Sequence, residues 1–285
     1  MHYMPESKFK DTLLSKLSEL PDKPSGLYIT GEMSLSRDHK LICIVGSRTC
    51  SSYAKEVTQK LIADLSSYPV CIVSGLALGI DGIAHKSAIE SNIPTIAFPG
   101  SGLDTDVLYP ASHRQLAVNI VNSNGLLISE YDPRTKAARW TFPKRNRLMA
   151  GISDLVLIVE AREKSGTLIT ARLATEYNTD VGVIPQNITH PHAQGSNKLM
   201  QEGAFPVLNY KDILSLVGIP IQEKVSPQAN YSNDELRIIS NLQEARTKDE
   251  LLELSGLSYQ LFTELFSILE IKGVIKEAYG LVHLV

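Results

Sequence analysis

Between Lys40 and about Ile219, short apolar runs rich in Val and Ile alternate with longer segments of helical period. The runs are LICIV (41–45), VCIV (70–73), TIAF (95–98), GLLIS (125–129), DLVLIV (154–159) and DVGVI (180–184). Each is continuously apolar, the pattern of a strand covered on both faces. Each intervening segment is long enough for a crossover helix, so the chain reads as α/β with a doubly wound parallel sheet. In such sheets ligands lie at the carboxyl ends of the strands, which makes the residues just after each run the ones to inspect for chemistry. The first 24 residues place Leu at helical spacing among charges and predict a short helical preface, too small for a core of its own. Residues 220–230 lose all periodicity and read as a linker. From 231 to 285 three short amphipathic patterns precede two short strands turning at Tyr279-Gly280, which predicts a small C-terminal winged-helix domain. The main α/β unit then spans 25–219.

Composition narrows the function. With 43% hydrophobic and 21% charged residues, the 285-residue chain has the balance of a folded globular protein. Its 28 Lys+Arg against 31 Asp+Glu give a net charge of -3, so any attraction to nucleic acid must come from a local patch. Cys43, Cys50 and Cys71 are odd in number and lack C-x-x-C spacing, and two of them lie inside apolar runs. They read as free thiols in a reducing compartment, with no disulfide framework. The longest apolar runs are about five residues against the ~20 that cross a bilayer. The N-terminus also lacks the unbroken apolar stretch of a signal peptide, so the expectation is cytoplasmic, with no membrane contact.

Three strand ends are small and Gly-rich: Gly46-Ser47-Arg48-Thr49, Ser74-Gly75-Leu76-Ala77 continuing to Asp81, and Pro99-Gly100-Ser101-Gly102. Backbone N–H groups there can approach an anion, although short turns favour Gly and Ser for tightness alone. Neither G-x-G-x-x-G nor a Walker motif occurs, so no dinucleotide or nucleotide cofactor is indicated. The strongest local signal is basic: Arg134, Lys136, Arg139, Lys144, Arg145 and Arg147, interleaved with Trp140 and Phe142 and free of acidic residues. Such a run can grip phosphates while aromatic rings stack on bases, or it can be an ordinary solvated loop. Ser165, Gly166, Thr167 and Thr170 open a helix with three hydroxyls able to donate to phosphate, of which plain N-capping accounts for one. Asp81 and His85 share a helix face and read as a cap with a packed histidine. His190 and His192 flank Pro191 without a third ligand, so they read as surface residues and no metal is expected. No nucleophile stands out.

Taken together, Gly46-Ser47-Arg48, Ser74-Gly75-Leu76-Ala77, Gly79-Ile80-Asp81, Ala84-His85, Gly102-Leu103-Asp104, Tyr109-Pro110, Ser129-Glu130, Phe142-Pro143-x-Arg145-Asn146-Arg147, Glu160-Ala161 and Ser165-Gly166-x-Leu168-Ile169-Thr170-Ala171 occur in a familiar order and spacing. The chain resembles the DNA processing protein A (DprA/Smf) family over about residues 25–210. The resemblance implies an extended Rossmann-like domain that binds single-stranded DNA, forms homodimers and helps load a RecA-type recombinase during natural transformation, without catalysis. It implies a DNA groove beside the loop holding Gly46, Ser47 and Arg48 and the one holding Phe142, Lys144, Arg145, Asn146 and Arg147. Two departures stand out: the N-terminal helical domain of many members is missing or reduced to the preface, and their Pro-Gly after the 180–184 run is Pro185-Gln186 here.

Two rival functions share this fold class. A nucleoside-monophosphate glycosidase would need a Pro-Gly-Gly-x-Gly-Thr-x-x-Glu loop, and Lys164 to Thr170 lack both the glycine pair and the glutamate. A small-nucleotide sensor could use the same Gly-rich tips. The C-terminal segment from Ser226 has nine acids and five cations, opposite in sign to a DNA-reading winged helix, and suggests a protein-contact or regulatory role.

Overall fold

The structure is a computed structural model that describes residues 1–285 except 11, 37, 191, 222–230, 243, 279 and 285, and the backbone alone of Ala278. Most of the expected linker and the hairpin-turn Tyr279 therefore lie outside the described residues. The chain divides into two compact units, Met1–Ile221 and Gln222–Val285.

All six apolar runs form strands: β3 (Lys40–Val45), β4 (Val70–Ser74), β5 (Thr95–Ala97), β6 (Leu126–Ser129), β7 (Leu155–Ile158) and β8 (Asp180–Val183). Three further strands join them, β1 (His2–Pro5), β2 (Gly26–Thr30) and the two-residue β9 (Phe205–Pro206). The nine-stranded order is β1-β2-β6-β5-β4-β3-β7-β8-β9. Pairing is parallel from β6 to β9, whereas β2 pairs antiparallel with β6 and β1 antiparallel with β2. The sheet is thus parallel in its body with an antiparallel margin that the sequence pattern did not announce.

Six helices connect the strands, α1 (Ser52–Asp64), α2 (Ile80–Glu90), α3 (Arg114–Asn122), α4 (Thr141–Ile152), α5 (Gly166–Glu176) and α6 (Gln194–Gln201), and α7 (Tyr210–Leu216) follows β9. Strand residues alternate between the two faces: Leu41, Cys43 and Val45 join one core, while Ile42 and Ile44 join the other. Burial on both sides explains why these runs are continuously apolar. Cys43, Cys50 and Cys71 are free thiols.

The expected helical preface takes another form. His2–Pro5 pair with β2, and only 3-10 turns follow at Glu6–Lys8 and Ser15–Glu19. Phe9, Leu14, Leu17 and Leu20 are buried in the same core as α4 and α5, with Leu20 packed on Gly151. The leucine spacing that suggested an α-helix serves burial against α4 and α5, so tertiary contact overrides the local pattern.

His85 is buried on α2, where its Nδ1 lies 2.8 Å from Thr95 Oγ1. Thr95 spends its own proton on the Ile72 carbonyl, so the imidazole donates to it. Burial, aided by the charges of His113 and Arg145, pushes the His85 pKa down to about 3. A folded pKa below the unfolded value means that the unfolded chain takes up the proton first as pH falls through ~6.5. Stability should therefore drop by ~2 kcal/mol from this group between about pH 7.5 and pH 5. Urea titrations of wild type and His85→Asn check this: the stability difference between them should change by that amount, and a pH-independent difference would show His85 to be solvated.

In the second unit α8 (Asn233–Ser240) and α9 (Lys248–Ser255) begin with capping boxes built from Ser232/Glu235 and Thr247/Glu250. With α10 (Tyr259–Ile271) and the hairpin β10 (Ile275–Ala278) and β11 (Leu281–Leu284), they enclose a core of Ile238, Leu251, Phe262, Phe266, Leu269, Ile275 and Val282.

Candidate nucleic-acid interface

The chain leaves β3 toward β4 on one side and β7 toward β8 on the other, so the carboxyl ends of β3 and β7 form the topological switch point of the sheet. A cavity of about 310 Å³ opens there. Gly46 to Thr49 form one wall, Phe142, Arg145 and Asn146 of α4 a second, and residues from Arg162 to Thr170 the third.

The first wall is braced locally. Ser47 Oγ donates to Thr49 O at 3.0 Å and accepts from Thr49 N at 3.2 Å, a turn that leaves Arg48 exposed. The Arg48 guanidinium lies 5.1 Å over the Phe142 ring, whose other neighbour is Tyr109 at 5.7 Å. Gly79 lets α2 begin against this turn: its φ is +74°, and a Cβ there would fall 2.2 Å from the Ser47 carbonyl.

The basic run, expected as a loop, enters α4 at Thr141, whose hydroxyl donates to Gly100 O at 2.6 Å. Helical geometry sends its cations in different directions. Arg145 is 5% exposed and directs Nη1 at the carbonyls of Gly75 and Phe98, while Nε donates to Asn146 Oδ1 at 3.1 Å. Asp81 sits beside it, accepting from Gly75 N at 3.1 Å. Burial raises the Asp81 pKa and lowers that of Arg145, and each is partly restored by the other's charge. Gly75 makes room for this guanidinium, because a Cβ would lie 2.0 Å from Arg145 Nη1. Arg147, 4% exposed, turns away from the cavity, with Nη2 2.7 Å from both Glu130 oxygens and Nε 3.1 Å from Asp22 Oδ2. Lys144 follows it, 3.6 Å from Glu130 and 5.9 Å from the Tyr131 ring centre.

Several expected groove residues are thereby reassigned. Arg145 and Arg147 have spent their charge inside the protein, Gly75 serves Arg145, and Lys144 lies with Asp22, Glu130 and Arg147 around a separate hollow. Arg134 pairs loosely with Asp104 at 3.6 Å. Lys136 and Arg139 remain exposed without an ion pair among the described residues, next to Trp140 at 61% exposure.

On the third wall, Ser165 caps α5 by accepting from Thr167 N at 3.2 Å, and Thr167 Oγ1 donates to Gly46 O at 3.2 Å. One of the three hydroxyls therefore caps the helix, a second ties this wall to the first, and Thr170 is buried in the lining. Gly166 has open space where a Cβ would be. Two cations were missed by the sequence reading, Arg162 and Lys164, exposed and lining the cavity. They stand singly among other residues, and the available signal was their place just after β7. At the position of the departure from Pro-Gly, Gln186 Nε2 donates to Val159 O at 2.7 Å and its backbone N–H to Asn197 Oδ1 at 3.2 Å. His190 and His192, expected to lack a third ligand, converge with Glu160.

Asp81 and His85, the nearest approach to an acid–base pair, are both buried and bonded internally. Among the described residues no helix is long and apolar enough to cross a membrane.

Comparison with known proteins identifies the family and agrees with the fold. DNA processing protein DprA of Bacillus subtilis is 38% identical over 197 residues, covering 69% of this chain and 65% of that protein. Its Streptococcus pneumoniae counterpart is 40% identical over 199 residues, 70% of this chain and 69% of its own length. The chain spans about half to two thirds of the length of several curated relatives, 51% in the case of protein Smf from Escherichia coli. The X-ray structure of DprA from S. pneumoniae superposes with a TM-score of 0.67 at 34% identity, covering 75% of this chain and 73% of that one. A structure of DNA processing protein A from Helicobacter pylori, described for its single-stranded DNA binding mode, gives 0.65 at 30% identity over 75% of this chain and 95% of that one. A family profile described as DNA recombination-mediator protein A matches residues 7–218. The chain therefore belongs to the DNA recombination-mediator protein A (DprA/Smf) family.

Proposed function

We propose that this protein binds single-stranded DNA across the switch-point cavity, without sequence preference and without catalysis. The observation that carries the reading is the cavity mouth, where Arg48, Arg162 and Lys164 converge from two walls and none pairs with a carboxylate among the described residues. Cations without a carboxylate partner around a concave, Gly-lined surface attract phosphates. Phe142, Tyr109 and the exposed Trp140 offer ring faces to bases that are free to unstack, which favours a single strand over a duplex. The DNA-binding mode described for the H. pylori relative supports the same assignment.

Membership of the family supports two further parts of the proposal, homodimerisation and the handing of the strand to a RecA-type recombinase in the cytoplasm. The three helices and hairpin of the second unit fit a winged helix, and its balance of nine acids to five cations favours a protein partner over DNA.

Titration of labelled oligo-dT at increasing salt tests the central claim. If roughly three to five phosphates are neutralised, log K should fall against log salt with a slope of about -2 to -3.5. Duplex of the same length should compete poorly. A slope near zero, or displacement of the strand by a mononucleotide at equal concentration, would replace the strand-binding reading with a small-nucleotide site.

A further inference from the structure

Next to the cavity lies a cluster that the DNA-binding reading does not use. Glu160, two residues beyond β7, is completely buried, and both carboxylate oxygens accept from Ser51 N–H at 3.1 and 3.3 Å. Its Oε1 is 3.3 Å from His192 Nδ1. The His190 ring packs on His192 with centroids 5.2 Å apart, and His190 Nδ1 accepts from His192 N at 3.3 Å. One ligand atom from each of the three residues lies within 4.8 Å of the others. No lysine or arginine among the described residues reaches ion-pair distance of Glu160.

A carboxylate out of water with only neutral partners is a strong site for a cation. Two imidazoles and one carboxylate are the borderline-hard donors that zinc and its neighbours take with three protein ligands and one open position. The 3.3 Å separation of Glu160 Oε1 and His192 Nδ1 also matches the ~3.3 Å edge of a tetrahedron with bonds of ~2.0–2.1 Å. We propose that Glu160, His190 and His192 form a binding site for a divalent transition metal of the Zn²⁺ class, with a water in the fourth position.

The site is wired to the cavity through Arg162, whose Nη2 contacts His192 Nε2. A guanidinium only donates, so His192 is neutral there, accepting at Nε2 and carrying its proton on Nδ1 toward Glu160. A metal bound at Nδ1 sends that proton to Nε2, and the imidazole stays neutral. Nε2–H then faces a guanidinium N–H, donor against donor, and Arg162 is released to the cavity that it already lines. This second consequence rests on the single-strand DNA reading, whereas the metal site does not.

The full chain, stripped with a chelator, is titrated with Co²⁺ followed by visible absorption and then with Zn²⁺. One equivalent of Co²⁺ should give the intense spectrum of a tetrahedral ion, bleached by Zn²⁺. His190→Ala and His192→Ala should each abolish it, while Cys50→Ser, which removes the half-buried thiol, should leave it unchanged. Zn²⁺ should also raise the unfolding temperature of wild type and of Cys50→Ser but not of the histidine variants, since a ligand of the native state stabilises it. This second readout covers any histidine variant that folds poorly. Absence of a stoichiometric Co²⁺ spectrum, or its persistence in both histidine variants, overturns the site. Zn²⁺ should tighten oligo-dT binding by wild type and have no effect on Arg162→Ala. An unchanged DNA affinity in Zn²⁺-loaded wild type overturns the coupling while the Co²⁺ spectrum upholds the site. Failure of the metal-free protein to bind DNA counts against the DNA reading alone.

Discussion

Replacing Arg145 by Met is expected to cost about 3–5 kcal/mol of stability, the cost of removing one partner from a buried charged pair. Met keeps the apolar volume but leaves the Gly75 and Phe98 carbonyls without their donor and leaves Asp81 buried without its cation. Against a total of about 5–15 kcal/mol for a folded protein, such a loss is visible as a large shift of the urea midpoint at unchanged slope. Asp81→Asn in the same background should restore part of it, because the uncompensated charge is gone while both carbonyls remain unmet. Gly75→Ala should destabilise in the same direction by pressing a methyl group on the guanidinium. If Arg145→Met folds as stably as wild type but loses oligo-dT binding, Arg145 is a DNA contact after all, and its burial opens when the strand arrives.

The combined variant Arg48→Ala, Arg162→Ala, Lys164→Ala is expected to do the reverse, leaving the fold intact and removing most DNA affinity. All three side chains are exposed, so their loss should change stability little. Each charge-assisted phosphate contact is worth about tenfold in affinity, and the three together roughly a thousandfold if they act independently. The salt slope should fall by about 2, from ~0.7 per phosphate contact. Arg147→Ala is the informative contrast, because it should destabilise by freeing Glu130 and Asp22 while sparing the salt slope. Oligo-dT binding by the triple variant at wild-type affinity would move the strand to the Lys136, Arg139 and Trp140 surface.

The order of elements was legible in the pattern of residues, since every run from LICIV to DVGVI became a parallel strand and every long gap a helix. The margins were not. Gly26–Thr30 forms a strand only because β6 offers it an edge, His2–Pro5 only because β2 then offers one in turn, and Ser15–Glu19 takes a 3-10 turn because Leu17 and Leu20 must reach the core. That Gly46-Ser47-Arg48 and Ser165-Gly166-Thr167 stand at strand ends was also legible, and both line one cavity at the switch point. The assignment of charge was not, because a run of cations shows how many there are and not which carboxylates they meet. Asp22, Asp81 and Glu130, far from the run or outside it, consume Arg145, Arg147 and Lys144.

The sequence by itself determined the fold class, the strand ends at which to look for a site and the family, because two-sided burial and tight turns impress a local code on neighbouring residues. Only the tertiary structure decided which cations stay clear of carboxylates, that Arg162 and Lys164 line one cavity with Arg48, and that Glu160 meets two histidines thirty residues on. These are questions of which side chains face each other across the sheet's carboxyl edge, and long-range electrostatic pairing leaves no period in the chain.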